Sequence, residues 1–229
     1  MSRVLFLILT IVCCAIPAAA GELPTLEQVL DRYVEAVGGR EALAELESRH
    51  IVGREIDDRP YAGPAVESKL EVWAATDGDW LLEMTKEGER WREGFSGGKM
   101  WEQKPGQEVE PGEHLKTKLA FLFNPQGPLM VEKYFPNLRL TGTWDYDGVE
   151  YYKVENDLKF EYYTLYFEVE TGLLTRIGYH WKLEDFRERD GVLVPGVVYQ
   201  GRKGGSTNLF FDEVTHGEDE AGHLQPGGK

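Results

Sequence analysis

Two closely spaced tight turns constrain this chain more than anything else in it. Between Phe160 and Tyr199, three apolar runs are separated only by Glu170-Thr171-Gly172 and Asp190-Gly191. Thr-Gly and Asp-Gly supply the positive φ that a short hairpin demands, and such connections leave no room for a helix. Consecutive strands must therefore pair with each other. The same grammar extends over Leu138–Val214, with further turns at Asp147-Gly148, Asn156-Asp157 and Lys203-Gly204-Gly205. This predicts one antiparallel meander whose apolar face has to be covered by the rest of the chain.

The part before it has two characters. Thr25 and Gln28 have the spacing of a capping box, and Leu26, Val29, Leu30, Tyr33 and Val37 follow at helical intervals until Gly38-Gly39 stops them. A second short helix is expected over 40–48. From His50 the pattern alternates: Val66, Ser68, Leu70, Val72 and Ala74 face one way, and Trp80, Leu82 and Met84 share a face after the turn at Asp77-Gly78. A hairpin around Ser96-Gly97-Gly98 completes an N-terminal meander. Between the meanders, His114–Phe123 reads as an amphipathic helix carrying Leu115, Leu119 and Leu122, ended by Asn124-Pro125. It is expected to act as a lid or a fixed plug.

The ends are set apart. Arg3 followed by the apolar run Val4–Val12 and by Ala18-Ala19-Ala20 has the layout of a cleavable signal peptide over 1–20, with the mature chain starting at Gly21. The run is about nine residues, whereas crossing a bilayer takes roughly twenty. Both cysteines, Cys13 and Cys14, lie in this leader, and neither follows the small residue that lipidation requires. The mature chain then has neither disulfide nor thiolate metal site. One domain over 21–215 is expected, with 216–229 as a disordered tail. With 40 acidic and 25 basic residues the chain carries a net charge of −15, which disfavours nucleic acid and anionic headgroups as partners. No second apolar stretch approaches spanning length, and a monomer is expected.

In the second meander, Tyr163, Leu165, Phe167 and Val169 fall on one face. Leu173, Thr175, Ile177, Tyr179, Trp181 and Leu183 do so in a following strand read as continuous over 173–183. One apolar and one mixed face describe a curved sheet with a covered side and a wet side, and a long twisted sheet curls towards a barrel. About eleven strands are expected, in an α+β arrangement that is mainly antiparallel β.

At this point the chain resembles the exported LolA-like proteins of outer-membrane lipoprotein sorting. Ala36-Val37-Gly38-Gly39-Arg40-Glu41-Ala42-Leu43 looks like their opening, and the segments Tyr166–Arg176 and Phe186–Pro195 resemble their recurrent strand–turn–strand blocks. The resemblance implies an unclosed antiparallel half-barrel, helices over its concave face, and a hydrophobic cavity between them. It implies a periplasmic carrier of a lipid, an acyl chain or a lipidated protein, with an envelope protein as a further partner.

Independently of that resemblance, the sided strands nominate a cavity wall of Leu70, Val72, Leu82, Met84, Trp101, Val154, Leu165 and Phe167, under a lid of Leu119, Leu122 and Phe123. Each buried methylene contributes roughly 0.8 kcal/mol, so an acyl chain of about fifteen carbons needs no polar contact to be held. The same residues would equally make a dry core, and the protein would then serve as a non-catalytic interaction or scaffold module of the envelope.

Other chemistry has weaker support. Gly94-Phe95-Ser96-Gly97-Gly98 matches the nucleophile elbow of serine hydrolases, but it lies between two strands where that motif needs a strand followed by a helix. The five histidines have no ligand spacing. Glu168 and Glu170 share a strand face, as acid–base pairs do, but a solvated strand edge accounts for them. Trp73, Trp91 and Tyr151 are the aromatic residues expected on the wet face, where they would suit a sugar. No enzyme, metal or cofactor is expected.

Overall fold

A computed structural model of the chain describes residues 23–61, 63–112, 116–156, 163–217 and 224. The expected leader with both cysteines lies outside them, as does the expected tail apart from His216, Gly217 and Leu224.

The turn residues act as their chemistry requires. Two-residue hairpin loops at Glu87-Gly88, Gly97-Gly98, Asp147-Gly148 and Asp190-Gly191 all hold both residues at positive φ, between 52° and 85°. That is the turn whose twist matches paired strands. The strands are β1 (Ser48–Asp58), β2 (Val66–Ala75), β3 (Trp80–Lys86), β4 (Glu89–Ser96), β5 (Lys99–Gln103) and β6 (Glu110–Pro111) in the N-terminal half. After the helical segment come β7 (Leu138–Tyr146), β8 (Val149–Asn156), β9 (Leu165–Glu168), β10 (Leu174–Ile177), β11 (Trp181–Arg189), β12 (Val192–Arg202) and β13 (Gly205–Thr215).

The 13 strands of the described residues form a single unclosed antiparallel sheet in the order β6-β5-β4-β3-β2-β1-β13-β12-β11-β10-β9-β8-β7. The meanders therefore join through their outermost partners in sequence, β1 and β13. The two free edges are β6 and β7, which are consecutive in the chain, so the helical segment between them carries the chain from one edge to the other. At the central seam the β1–β13 register shifts between Val52 and Gly53. A Cβ on Gly53 would lie 1.9 Å from the Phe210 carbonyl oxygen, so only glycine lets the two strands approach.

Among the described residues, four short helices complete the fold: α1 (Leu26–Ala36), α2 (Arg40–Ala44), α3 (Thr117–Phe123) and α4 (Val131–Tyr134), with a 3-10 turn at Gly127–Met130 between the last two. The capping box on α1 is formed, Gln28 N donating to Thr25 Oγ1 and Thr25 N to Gln28 Oε1. Where α1 ends, a Cβ on Gly38 would sit 2.5 Å from the Gly191 carbonyl oxygen, and Leu193 N donates to Val37 O at 2.9 Å. The Gly38-Gly39 stop and the Asp190-Gly191 turn thus form one contact, which docks α1 on the sheet.

Three sequence expectations change. The run 173–183 is not one strand: it turns at 178–180, where Gly178 takes φ 63° and donates to Thr164 O at 2.7 Å. A bulge between Leu174 and Arg176 also resets the alternation, so Leu174 and Ile177 both reach the core. Conversely, β11 runs without a register shift through Asp185, which takes φ 55° opposite Gly196. The helix expected over 40–48 stops at Ala44 because β1 begins at Ser48. Of the helix expected over 114–123, Thr117–Phe123 is present and 113–115 lie outside the described residues. The strand expected over 160–169 is β9 alone, with 157–162 outside.

Candidate functional site

The concave face and its covering helix bring most of the predicted wall together. Across β2 and β3, Leu70 pairs with Met84 and Val72 with Leu82; across β8 and β9, Val154 pairs with Leu165. Phe167 follows two residues on and meets the Tyr33 ring edge-on at 5.4 Å. From α3, Leu119, Leu122 and Phe123 enter the same apolar cluster. Phe123 packs edge-on against Trp80 at 5.7 Å and tilted against Phe211 at 6.4 Å.

Trp101 is the exception. The β4–β5 register sets it opposite Gly94 and sets Met100 opposite Phe95, so Met100 faces inward and Trp101 outward. It belongs to a separate cluster on the convex side with Trp73, Leu81 and Leu224. Gly94 is needed there, because a Cβ on it would lie 2.7 Å from the Trp101 ring. The same cluster buries Trp73, and Tyr151 is buried against Trp144 and Tyr166, so of the three aromatic residues expected to be exposed only Trp91 is. Ser96 pairs with Lys99 across a two-residue hairpin, with no helix following, which removes the geometric basis of a nucleophile elbow.

The wall residues surround packed side chains. Val72, Phe123, Val154, Leu165 and Phe167 have 0% exposure. A side chain with no accessible surface borders no space that a water could enter, so at these positions the interior is filled, with Tyr33 of α1 against Phe167 and with Phe123 of α3 itself against Trp80 and Phe211. All of Leu119–Phe123 is buried.

Polar bonds hold α3 at both ends: at its start Lys116 Nζ donates to Glu93 Oε2 and Lys118 Nζ to Ile177 O, and a denser set gathers at its C-terminal end. Arg49, on β1, is buried at 5% exposure and shares a face with the fully buried Ile51 two residues on. Its Nη1 donates to Leu122 O at 2.9 Å, Nη2 to Pro125 O at 3.5 Å, and Nε to His216 Nε2 at 3.1 Å. Burial pushes the guanidinium down to about 10, partly offset by the neighbouring Tyr33, and burial raises the Tyr33 phenol in turn. Asn124 Nδ2 donates to Thr76 O and Tyr134 OH, and Gln126 Nε2 to Ala44 O and Leu46 O at 3.1 and 2.9 Å. The sequence singles out neither Arg49 nor Gln126, and it marks Asn124 only as a helix stop and His216 only as one of five histidines without ligand spacing. Period-two alternation with Ile51 was the one available signal, since it sets Arg49 on the inward face.

Grooves open beside the helices. One of about 760 Å³ lies between α1 and the Gly127–Tyr134 segment, floored by Leu26, Leu30, Leu129 and Met130 with Asp31 and Arg40 among its charged residues. Another, about 370 Å³, opens at the start of α3 between Lys118, Leu119, Tyr163 and Trp181. There the Lys118 ammonium lies 5.2 Å from the centre of the Trp181 ring, and burial pushes it down to about 8. Both volumes fall in the range of small-molecule sites.

No protein-family profile and no curated protein matches the chain. Solved structures do. A DUF1329 family protein from Desulfovibrio piger is 14% identical at TM-score 0.56, covering 87% of this chain and 98% of its own. A LolA superfamily protein from Nitrosomonas europaea is 12% identical at TM-score 0.57, with 89% and 98% covered. An outer membrane lipoprotein-sorting protein domain from Vibrio parahaemolyticus is 9% identical at TM-score 0.54, with 84% and 94% covered. The fold of this chain is LolA-like.

Proposed function

We propose that the protein is an exported, non-catalytic periplasmic carrier of an acyl chain, held where α3 now lies on the sheet. The observation that carries this reading is the construction of the cover. A seven-residue helix contributes five consecutive buried residues to the apolar core and is tied down by a handful of polar bonds, most of them near its C-terminal end. Lifting it, and with it Leu119, Leu122 and Phe123, would open the concave face that Leu70, Val72, Leu82, Met84, Val154 and Leu165 line, while Phe167 stays against Tyr33 of α1. Trp101 takes no part.

The energetics suit a carrier. Burial of about fifteen methylenes contributes roughly 12 kcal/mol at ~0.8 kcal/mol each, whereas Leu119, Leu122 and Phe123 together surrender roughly 5–9 kcal/mol when displaced. The lid competes with the cargo, so binding is moderate and release needs no large input. The fold shared with a lipoprotein-sorting domain supports the same reading. The leader over 1–20 supports export, and no helix among the described residues is long and apolar enough to cross a membrane. Native mass spectrometry of gently purified mature protein should show a bound lipid mass, and an apolar fluorescent probe should enter and be displaced by fatty acid. Lipid-free protein that also excludes the probe would refute the carrier reading.

The filled interior favours a second reading, an envelope interaction module whose α3 never lifts. Retention of a stable protein partner by lipid-free protein, with no probe uptake, would select it.

A further inference from the structure

His216 directly follows β13 and sits between two groups of opposite demand. An Arg Nε–H can only donate, so His216 Nε2, 3.1 Å away, must accept. The imidazole is then neutral with its proton on Nδ1, which donates to Asp190 Oδ2 at 3.0 Å. The side chain is 3% exposed. A relay therefore runs from the Asp190-Gly191 turn through His216 and Arg49 to the carbonyls of Leu122 and Pro125, tying three distant parts of the chain to the end of α3. Ser48 Oγ, which donates to Gly217 O, anchors the same corner.

We propose that His216 is a pH-sensitive bolt on the lid: protonation at Nε2 breaks its bond to Arg49, sets two cations against each other, and loosens Arg49 from the α3 carbonyls. This inference rests on reading α3 as a lid and adds the group that controls it. The charged and titratable groups around His216 are Arg49 from β1, Asp190 from the β11–β12 turn, Glu45 and Glu47 across the adjoining groove beside α2, and Tyr33 from α1 beyond Arg49. Burial lowers the imidazole below its ordinary value, Arg49 lowers it further, and Asp190 opposes both. The sign follows from linkage. A group depressed in the closed state binds its proton more readily when that state opens, so closure has full strength above the ordinary value of about 6.5 and weakens as pH falls below it.

The experiment is hydrogen exchange on the full-length purified protein between about pH 7.5 and pH 5, expressed as protection factors so that the intrinsic pH dependence cancels. Wild type should lose protection at 117–126 on acidification, up to roughly tenfold for each unit by which burial depresses the imidazole, while β2 and β3 keep theirs. His216→Gln, whose amide oxygen still accepts from Arg49, should show a flat profile. Asp190→Asn, which removes the carboxylate favouring imidazolium, should move the wild-type transition to lower pH. A flat wild-type profile, a His216→Gln profile like wild type, an unmoved Asp190→Asn transition, or parallel loss of protection in β2 and β3 would each overturn the bolt. Probe uptake measured on the same samples separates the two readings: a pH-dependent lid with no uptake keeps the bolt and sinks the carrier, and uptake with a flat lid does the reverse.

Discussion

Phe123→Ala interrogates the finding on which the functional reading turns, that the space under the lid is filled. Phe123 has 0% exposure and touches Trp80 and Phe211 with ring centres 5.7 and 6.4 Å away. Removing the ring forfeits about 1.5–3 kcal/mol of transfer free energy, and the cavity left between rigid strands brings the total to about 3–5 kcal/mol. The edge-on Trp80 contact contributes roughly 0.5–1.5 kcal/mol of that loss. Against a typical domain stability of about 5–15 kcal/mol, such a loss is large and lowers the melting temperature on the order of 10 °C. Urea unfolding followed by circular dichroism measures it, with an unchanged m-value marking a true stability change. The void should also admit an apolar probe that wild type takes up slowly. A cost below about 1 kcal/mol would show that the ring already borders empty space, and the argument for a filled interior with a competing lid would fail.

Three further substitutions bear on other contacts. Gly38→Ala forces a Cβ to 2.5 Å from the Gly191 carbonyl at φ 127°, and should cost about 2–5 kcal/mol in urea unfolding; a loss under about 1 kcal/mol would mean that α1 is not pinned there. Arg49→Met removes the bonds to Leu122 and Pro125 together with a buried cation that no carboxylate among the described residues contacts. Global stability should therefore change by less than about 2 kcal/mol in either direction, while exchange at 117–126 accelerates; unchanged exchange would show that Arg49 does not hold the lid. Leu224→Ala should cost about 1–2 kcal/mol and shift tryptophan emission to the red as Trp73 and Trp101 gain water, and an unaltered spectrum would contradict that packing.

Local chemistry made much of the fold legible. Asp147-Gly148 and Asp190-Gly191 turn as read because the φ they need is a property of those residues, and the α1 capping box forms because its partners lie three apart. Leu70, Val72 and Leu82 share a face because strand alternation is set by the pleat. Errors arose where alternation stays ambiguous or is interrupted. Met100 and Trp101 are adjacent and both apolar, so composition could not say which faces inward; the register with Phe95 and Gly94 did. The bulge at Thr175 shifted the faces of β10 with no marker in its residue types.

By itself, then, the sequence determined the hairpins, the antiparallel character of the sheet and the short amphipathic helix between the meanders, since each depends on neighbours a few residues apart. Tertiary structure decided the pairing of β1 with β13, because that seam joins segments roughly 160 residues distant and turns on Gly53 meeting the Phe210 carbonyl. It also decided how the apolar face is covered. Periodicity makes a residue apolar-facing, but whether that face holds a void or the side chains of α3 depends on where Arg49 and its partners seat the helix.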